Sequence, residues 1–104
     1  MTEVLTLIQR TVSYEDLANP VTTETTRWVF AEIRSVTRTE FYQAQAANIQ
    51  PELVFVLSDY LEYNGELLVE HEGLRYRVIR TYRTGQELEL VVRRASVEEG
   101  GTNG

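Results

Sequence analysis

Few side chains in this sequence can do chemistry. His71 is the single histidine and stands between Glu70 and Glu72, and an imidazole beside carboxylates has the make-up of a tuned general base. No nucleophile and no third member accompany it, so the expectation is a solvated histidine at the end of a hairpin and a chain that is not an enzyme. Glu62, Glu66, Glu70 and Glu72 offer oxygens to a hard cation. They lack the Asp/Asn/Gly spacing of a calcium loop, which leaves a solvated acidic edge. Cysteine is absent, which excludes thiolate zinc sites, thiol nucleophiles and disulfides, and one histidine excludes His-rich metal centres. Gly65, Gly73 and Gly85 stand singly at turns, so no glycine motif cradles a phosphate. No cofactor and no metal are expected.

Arginine is the more informative residue. All ten basic residues are Arg, a side chain suited to forked carboxylate or phosphate contacts and to buried interfaces, although GC-rich coding also replaces Lys by Arg. Arg75, Arg77, Arg80 and Arg83 run along one expected strand and Arg93 and Arg94 along its neighbour. With Tyr76 and Tyr82 they would make a ribbon for single-stranded nucleic acid. The competing reading, which we favour, is pairing within or between subunits, because Glu70, Glu87 and Glu89 are the expected cross-strand neighbours. The charges are segregated as well. Residues 51–73 hold six carboxylates and no Arg, and residues 74–94 hold six Arg and two Glu. If these segments form opposite edges of a subunit, head-to-tail contacts would close into a ring.

The elements that position these residues fit one domain. A chain of 104 residues with 42% hydrophobic and 10% aromatic content fills a single core without staples. The expected boundaries are residues 1–95 for the domain and 96–104 for a flexible tail with nothing to bury. A net charge of −6 argues against a free-standing protein that coats DNA. No apolar run approaches the roughly 20 residues that cross a bilayer, and the acidic amino terminus is unlike a signal peptide, so a soluble chain with no membrane partner is expected.

Val4 to Ile8 reads as a strand, and residues 13–26, rich in Ser, Asp, Asn, Pro and Thr, as a loop. From Arg27 to Val36, Val29, Ala31 and Ile33 alternate with Phe30, Glu32 and Arg34, a strand with unlike faces. Thr37 to Glu40 matches a capping box that opens a short helix at about residues 38–47, with Phe41, Ala44 and Ala47 at helical spacing. Leu53 to Leu57 is an apolar run suited to a strand buried on both sides or at an interface. Leu67–His71 and Leu74–Arg83 should pair across Glu72-Gly73, setting Leu67, Val69 and Glu70 opposite Val78, Tyr76 and Arg75; Glu is disfavoured at positive φ, which would suit a longer bulged turn. A last hairpin into Glu87–Arg94 needs a three-residue loop or a bulge to bring Val78 near Leu90 or Val92. The sum is a mainly β chain, a small antiparallel barrel or barrel-like sandwich of about six strands with one short helix in a long loop. Trp28, Phe30 and Phe55 are apolar side chains that such a barrel does not need inside, and with Glu70, Arg75 and Arg77 they are the candidates for a subunit or partner interface.

Three stretches carry a resemblance that covers most of the chain. Trp28-Val29-Phe30-Ala31-Glu32-Ile33 with Ser35, Glu40, Phe41 and Ala44, then Asp59-Tyr60 with Glu66-Leu67-Leu68-Val69, then Gly73 to Arg80 with the closing Leu88-Glu89-Leu90, resemble the head-tail joining family of tailed bacteriophages and prophages, also called head-closure, head-completion or stopper proteins. The resemblance implies a structural virion protein at the head-tail interface, made in the cytoplasm of the host bacterium. It implies a homo-oligomeric ring under the portal and adaptor connector that holds packaged double-stranded DNA without sequence specificity. It also implies a docking face for a tail or tail-completion protein. The family's plug maps onto about Thr37 to Pro51, where Arg38, Glu40, Gln43, Gln45, Asn48 and Gln50 would face the channel. Rival readings are a small barrel that binds single-stranded nucleic acid through the Arg/Tyr ribbon, and a ligand-binding barrel, for which the sequence offers no convergent polar set.

Overall fold

The computed structural model describes residues 2–16, 19–34 and 53–100. Six strands appear there: β1 (Thr2–Asp16), β2 (Asn19–Arg34), β3 (Leu53–Leu57), β4 (Leu68–His71), β5 (Leu74–Thr84) and β6 (Glu87–Arg94). All neighbours are antiparallel, and the sheet closes on itself in the order β1-β2-β3-β6-β5-β4. The expected small antiparallel barrel is therefore present. The helix at 38–47 and the channel residues Arg38, Glu40, Gln43, Gln45, Asn48 and Gln50 lie outside the described residues.

Strand alternation decides what fills the barrel. Leu5 and Leu7, Val29 and Ala31, Phe55 and Leu57, Val69, Tyr76 and Val78, and Leu88, Leu90 and Val92 form one buried cluster. β3 is buried on both faces as expected: Val54 and Val56 turn outward and pack with Val91, Ile79 and Tyr82. Phe55 is fully buried, with its ring edge-on to Tyr76 at 5.8 Å. Phe55 is thus a core residue and not the interface residue expected, because odd positions of β3 face inward.

Two turn details follow from register. Val69 opposes Tyr76 and Glu70 opposes Arg75, as expected, and the Val78 amide donates to the Leu67 carbonyl at 2.9 Å. The connecting turn is the tight one: Glu72 takes φ +52 and Gly73 φ +79, the pair of positive values a type I′ turn requires. A Cβ on Gly73 would meet nothing, so its role is conformational freedom alone. Between β5 and β6 the loop is short and the expected bulge lies farther along: Thr84 opposes Glu87, and a register shift between Val78 and Arg80 leaves Ile79 without a partner. That extra residue sets Val78 opposite Val92 in the core and adds Ile79 to the outer cluster.

The largest correction concerns residues 13–26. They are not loop but the outer half of a long hairpin, with β1 and β2 paired continuously from Thr2↔Glu32 to Asp16↔Asn19 and one irregularity between Tyr14 and Asp16. β1 pairs β4 only at Thr6, Leu7 and Ile8, and β2 pairs β3 only from Ala31 to Arg34. Beyond these points the hairpin is a two-stranded arm whose β1 half, from Gln9 to Asp16, is about 26 Å long at ~3.3 Å per residue.

Residues 96–100, expected in a structureless tail, are ordered by a capping box. Ser96 Oγ accepts from the Glu99 amide and Glu99 accepts from the Ser96 amide around a 3-10 turn, Val97–Glu99. Residues 101–104 lie outside the described residues.

Candidate functional site

The outer face of the β1–β2 pair carries an apolar patch. Val29 and Ala31 point inward, so Trp28 and Phe30 point out, and they stay 64% and 55% exposed. Their rings meet edge to face at 5.4 Å and 77°, a favoured aromatic geometry. Val4, exposed as well, lies directly opposite Phe30. A hollow of about 120 Å³ beside Phe30 is lined by Thr2, Glu32, Val56 and Glu87 among others. Trp28 and Phe30 thus occupy the exposed positions that an interface requires. Val12 and Tyr14 extend exposed apolar surface along the same face of the arm, and Val21, of opposite parity, is exposed on the other face. The loop reading hid these three, although Val21-Thr22-Thr23-Glu24-Thr25-Thr26 is rich in β-branched residues that favour strands.

The expected arginine ribbon is largely engaged within the molecule. Arg75 forks onto Glu24 and also reaches Glu70 at 3.3 Å and the Gly100 carbonyl at 3.1 Å. Arg10, directly across the arm from Glu24, joins it at 3.0 Å. Hydrogen bonds from Arg75 and then Arg10 hold the Glu24 carboxyl below the usual range, while Glu24 and Glu70 raise Arg75. Arg93 forks onto Glu99 at 2.7 and 2.6 Å. With the Ser96 amide, this lowers Glu99 to about 2 and raises Arg93. Arg83 lies over the Tyr60 ring at 3.4 Å, and Arg80 donates to the Tyr82 hydroxyl. Tyr76 is buried in the barrel and presents no face for a base to stack on. Of the expected acidic partners, Glu70 serves Arg75, whereas Glu89 faces Arg34 at 3.5 Å. Arg77 makes no ion pair among the described residues; it lines a hollow of about 380 Å³ at the foot of the arm with Ile8, Leu67, Leu68, Arg10 and Glu98.

Two residues expected in solvent, Glu66 on an acidic edge and His71 at a hairpin end, are buried instead. Glu66 is 3% exposed and accepts from Arg27 at 2.7 Å and from the Asn64 amide at 3.0 Å. Burial works to raise its carboxyl, but these donors prevail and the net shift is downward. Burial, and then the Glu66 charge, raise the neighbouring Tyr63 phenol. His71 is 8% exposed and not a solvated hairpin-end residue, because it shares the inward parity of Val69 and packs by Phe55. No helix among the described residues is long and apolar enough to cross a membrane. The chain matches no protein-family model and no curated protein.

Proposed function

We propose that this chain is a non-enzymatic structural subunit of a phage or prophage head-tail joint, a copy in the head-closure ring between the portal connector and the tail. The observation that carries the reading is the pairing of an outward Trp28–Phe30–Val4 patch with a long arm whose two edges have no strand neighbour among the described residues. Exposed apolar patches rimmed by polar residues serve association. Open strand edges invite another strand, and proteins that keep them unprotected use them or aggregate. The open edge of β1 and that of β2 lie on opposite sides of the arm. Successive copies can therefore meet edge to edge through unlike surfaces, a heterologous contact that closes into a ring when the rotation permits. Within this reading the acidic balance is no obstacle, since retaining DNA in a channel needs no high affinity for phosphate. Localisation in the virion, assembly in the host cytoplasm, and partners on the portal and tail sides follow from the same reading. The single-strand-binding alternative loses support from the buried Tyr76 and the engaged Arg75 and Arg93.

The test is coexpression of the tagged chain with the portal, adaptor and tail-completion genes beside its own, affinity purification, and negative-stain microscopy. Rings capping the connector are expected. Connectors that purify without the chain, together with salt-sensitive binding of single-stranded oligonucleotide by the chain alone, would overturn the proposal.

A further inference from the structure

Independently of any assembly role, the end of the barrel brings three metal-binding side chains together. Glu3 of β1, His71 at the end of β4 and Glu72 in the following turn each present one ligand atom, all within 4.8 Å of one another. Glu3 shares the inward parity of Leu5 and Leu7, and His71 that of Val69, so both belong to the last layer of the barrel interior. The imidazole is held in place: His71 is 8% exposed and its ring lies 5.5 Å from that of Phe55, tilted by 55°. Its Nε2 stands 3.3 Å from Glu3 Oε1. That separation is long for a charge-assisted hydrogen bond, which prefers roughly 2.7–2.9 Å. It matches the edge of a tetrahedron with metal–ligand bonds of about 2.0–2.1 Å, roughly 3.3 Å.

We propose that Glu3, His71 and Glu72 form a three-ligand site for a divalent ion of the zinc type, with solvent in the fourth position. One imidazole and two carboxylates suit zinc and similar borderline ions better than calcium or magnesium, which take oxygen alone. Two carboxylates and a neutral imidazole also balance a dication. Glu72 is exposed, so its carboxylate closes the site from the solvent side. The ion would fasten the barrel at its briefest seam, since β1 and β4 pair at Thr6, Leu7 and Ile8 only and Glu3 and His71 stand beyond the end of that pairing. Neighbours in sequence could not reveal the site, because Glu3 stands 68 positions from His71.

The test is calorimetric titration of the full chain with zinc chloride in a non-chelating buffer, beside the Glu72→Gln and Glu3→Gln variants. Uptake of one ion per chain is expected. Each substitution should weaken binding by at least about 100-fold, the upper end of what loss of an outer-shell partner alone costs. Zinc should raise the Tm of the parent chain and not of Glu72→Gln. His71 is the single histidine, so its imidazole nitrogen resonances report the site directly, with Nε2 shifting on zinc addition. No saturable uptake by the parent chain, uptake unchanged in both variants, or an unmoved Nε2 signal would each overturn the proposal.

Discussion

Arg75 and Glu24 meet in a two-pronged ion pair, Nη1 to Oε2 at 2.9 Å and Nη2 to Oε1 at 3.0 Å, that joins the barrel wall to the foot of the arm. Glu24 lies on the exposed arm and the two side chains keep 20% and 28% of their surface, but the two-pronged geometry is the kind for which a surface pair contributes measurably. Arg75→Ala should lower stability by about 1–2 kcal/mol, below the roughly 1.5–3 kcal/mol of hydrogen bonds to charged groups because solvent screens a surface pair. For a domain near this size that is a Tm decrease of roughly 5–10 °C. Thermal unfolding by circular dichroism checks it, and an unchanged Tm would show that the pair holds nothing.

The same engagement bears on nucleic acid. With Arg75 and Arg93 committed to carboxylates and Tyr76 inside the barrel, a single-stranded oligonucleotide should show no saturable binding near physiological salt, about 0.15 M. Fluorescence anisotropy would reveal the contrary as binding that falls steeply with added salt.

Exposed and buried aromatics should behave oppositely. Replacing Trp28 and Phe30 together by Ala should cost less than about 1 kcal/mol in the isolated chain, as surface changes do, and under the proposed head-closure role should reduce ring formation on connectors at least tenfold, as loss of an aromatic anchor does. Phe55→Ala should cost about 3–5 kcal/mol, since it opens a cavity in a fully buried site. Urea denaturation of the purified variants separates the two cases.

Removing Arg27 leaves the Glu66 carboxylate buried with its charge uncompensated. Arg27→Ala should therefore destabilise by about 2–3 kcal/mol, somewhat below the loss for a fully buried pair because the arginine is 42% exposed. Arg27→Ala combined with Glu66→Gln should recover part of that loss, and a double variant no better than the single one would refute the account.

Acid should act through Glu99. Its folded value of about 2 lies below the ordinary 4.5, and the Arg93 fork is the largest cause. A depressed carboxyl contributes stability that is present in full above 4.5 and is lost as pH falls through about 2. Glu24, lowered first by Arg75 and then by Arg10, acts in the same direction. Glu99→Gln should make the acid limb of a stability–pH curve shallower while lowering stability at neutral pH. Denaturant midpoints measured across that range provide the check.

Local pattern carried much of the fold. Alternation at Val29, Ala31 and Ile33 set β2 and its outward Trp28 and Phe30, because strand parity is a property of neighbouring residues. The opposed pairs Val69–Tyr76 and Glu70–Arg75 came from the position of the Glu72-Gly73 turn, because turn length fixes hairpin register. The arm departs from its local propensities: Ser13, Asp16, Asn19 and Pro20 are turn formers, whereas pairing with β1 sustains residues 19–26 as strand.

The sequence by itself therefore determined the β class, the register of β4 against β5 and the segregation of charge, all of which are written in spacings of a few residues. Only the tertiary structure decided which arginines are engaged, that Phe55 is core, that Glu66 and His71 are buried, and that Glu3 meets His71. These depend on closure of the sheet, which seats β1 against β4 and joins residues 60 or more positions apart in the sequence. Burial and charge pairing across such a seam are long-range consequences of closure, and no local spacing encodes them.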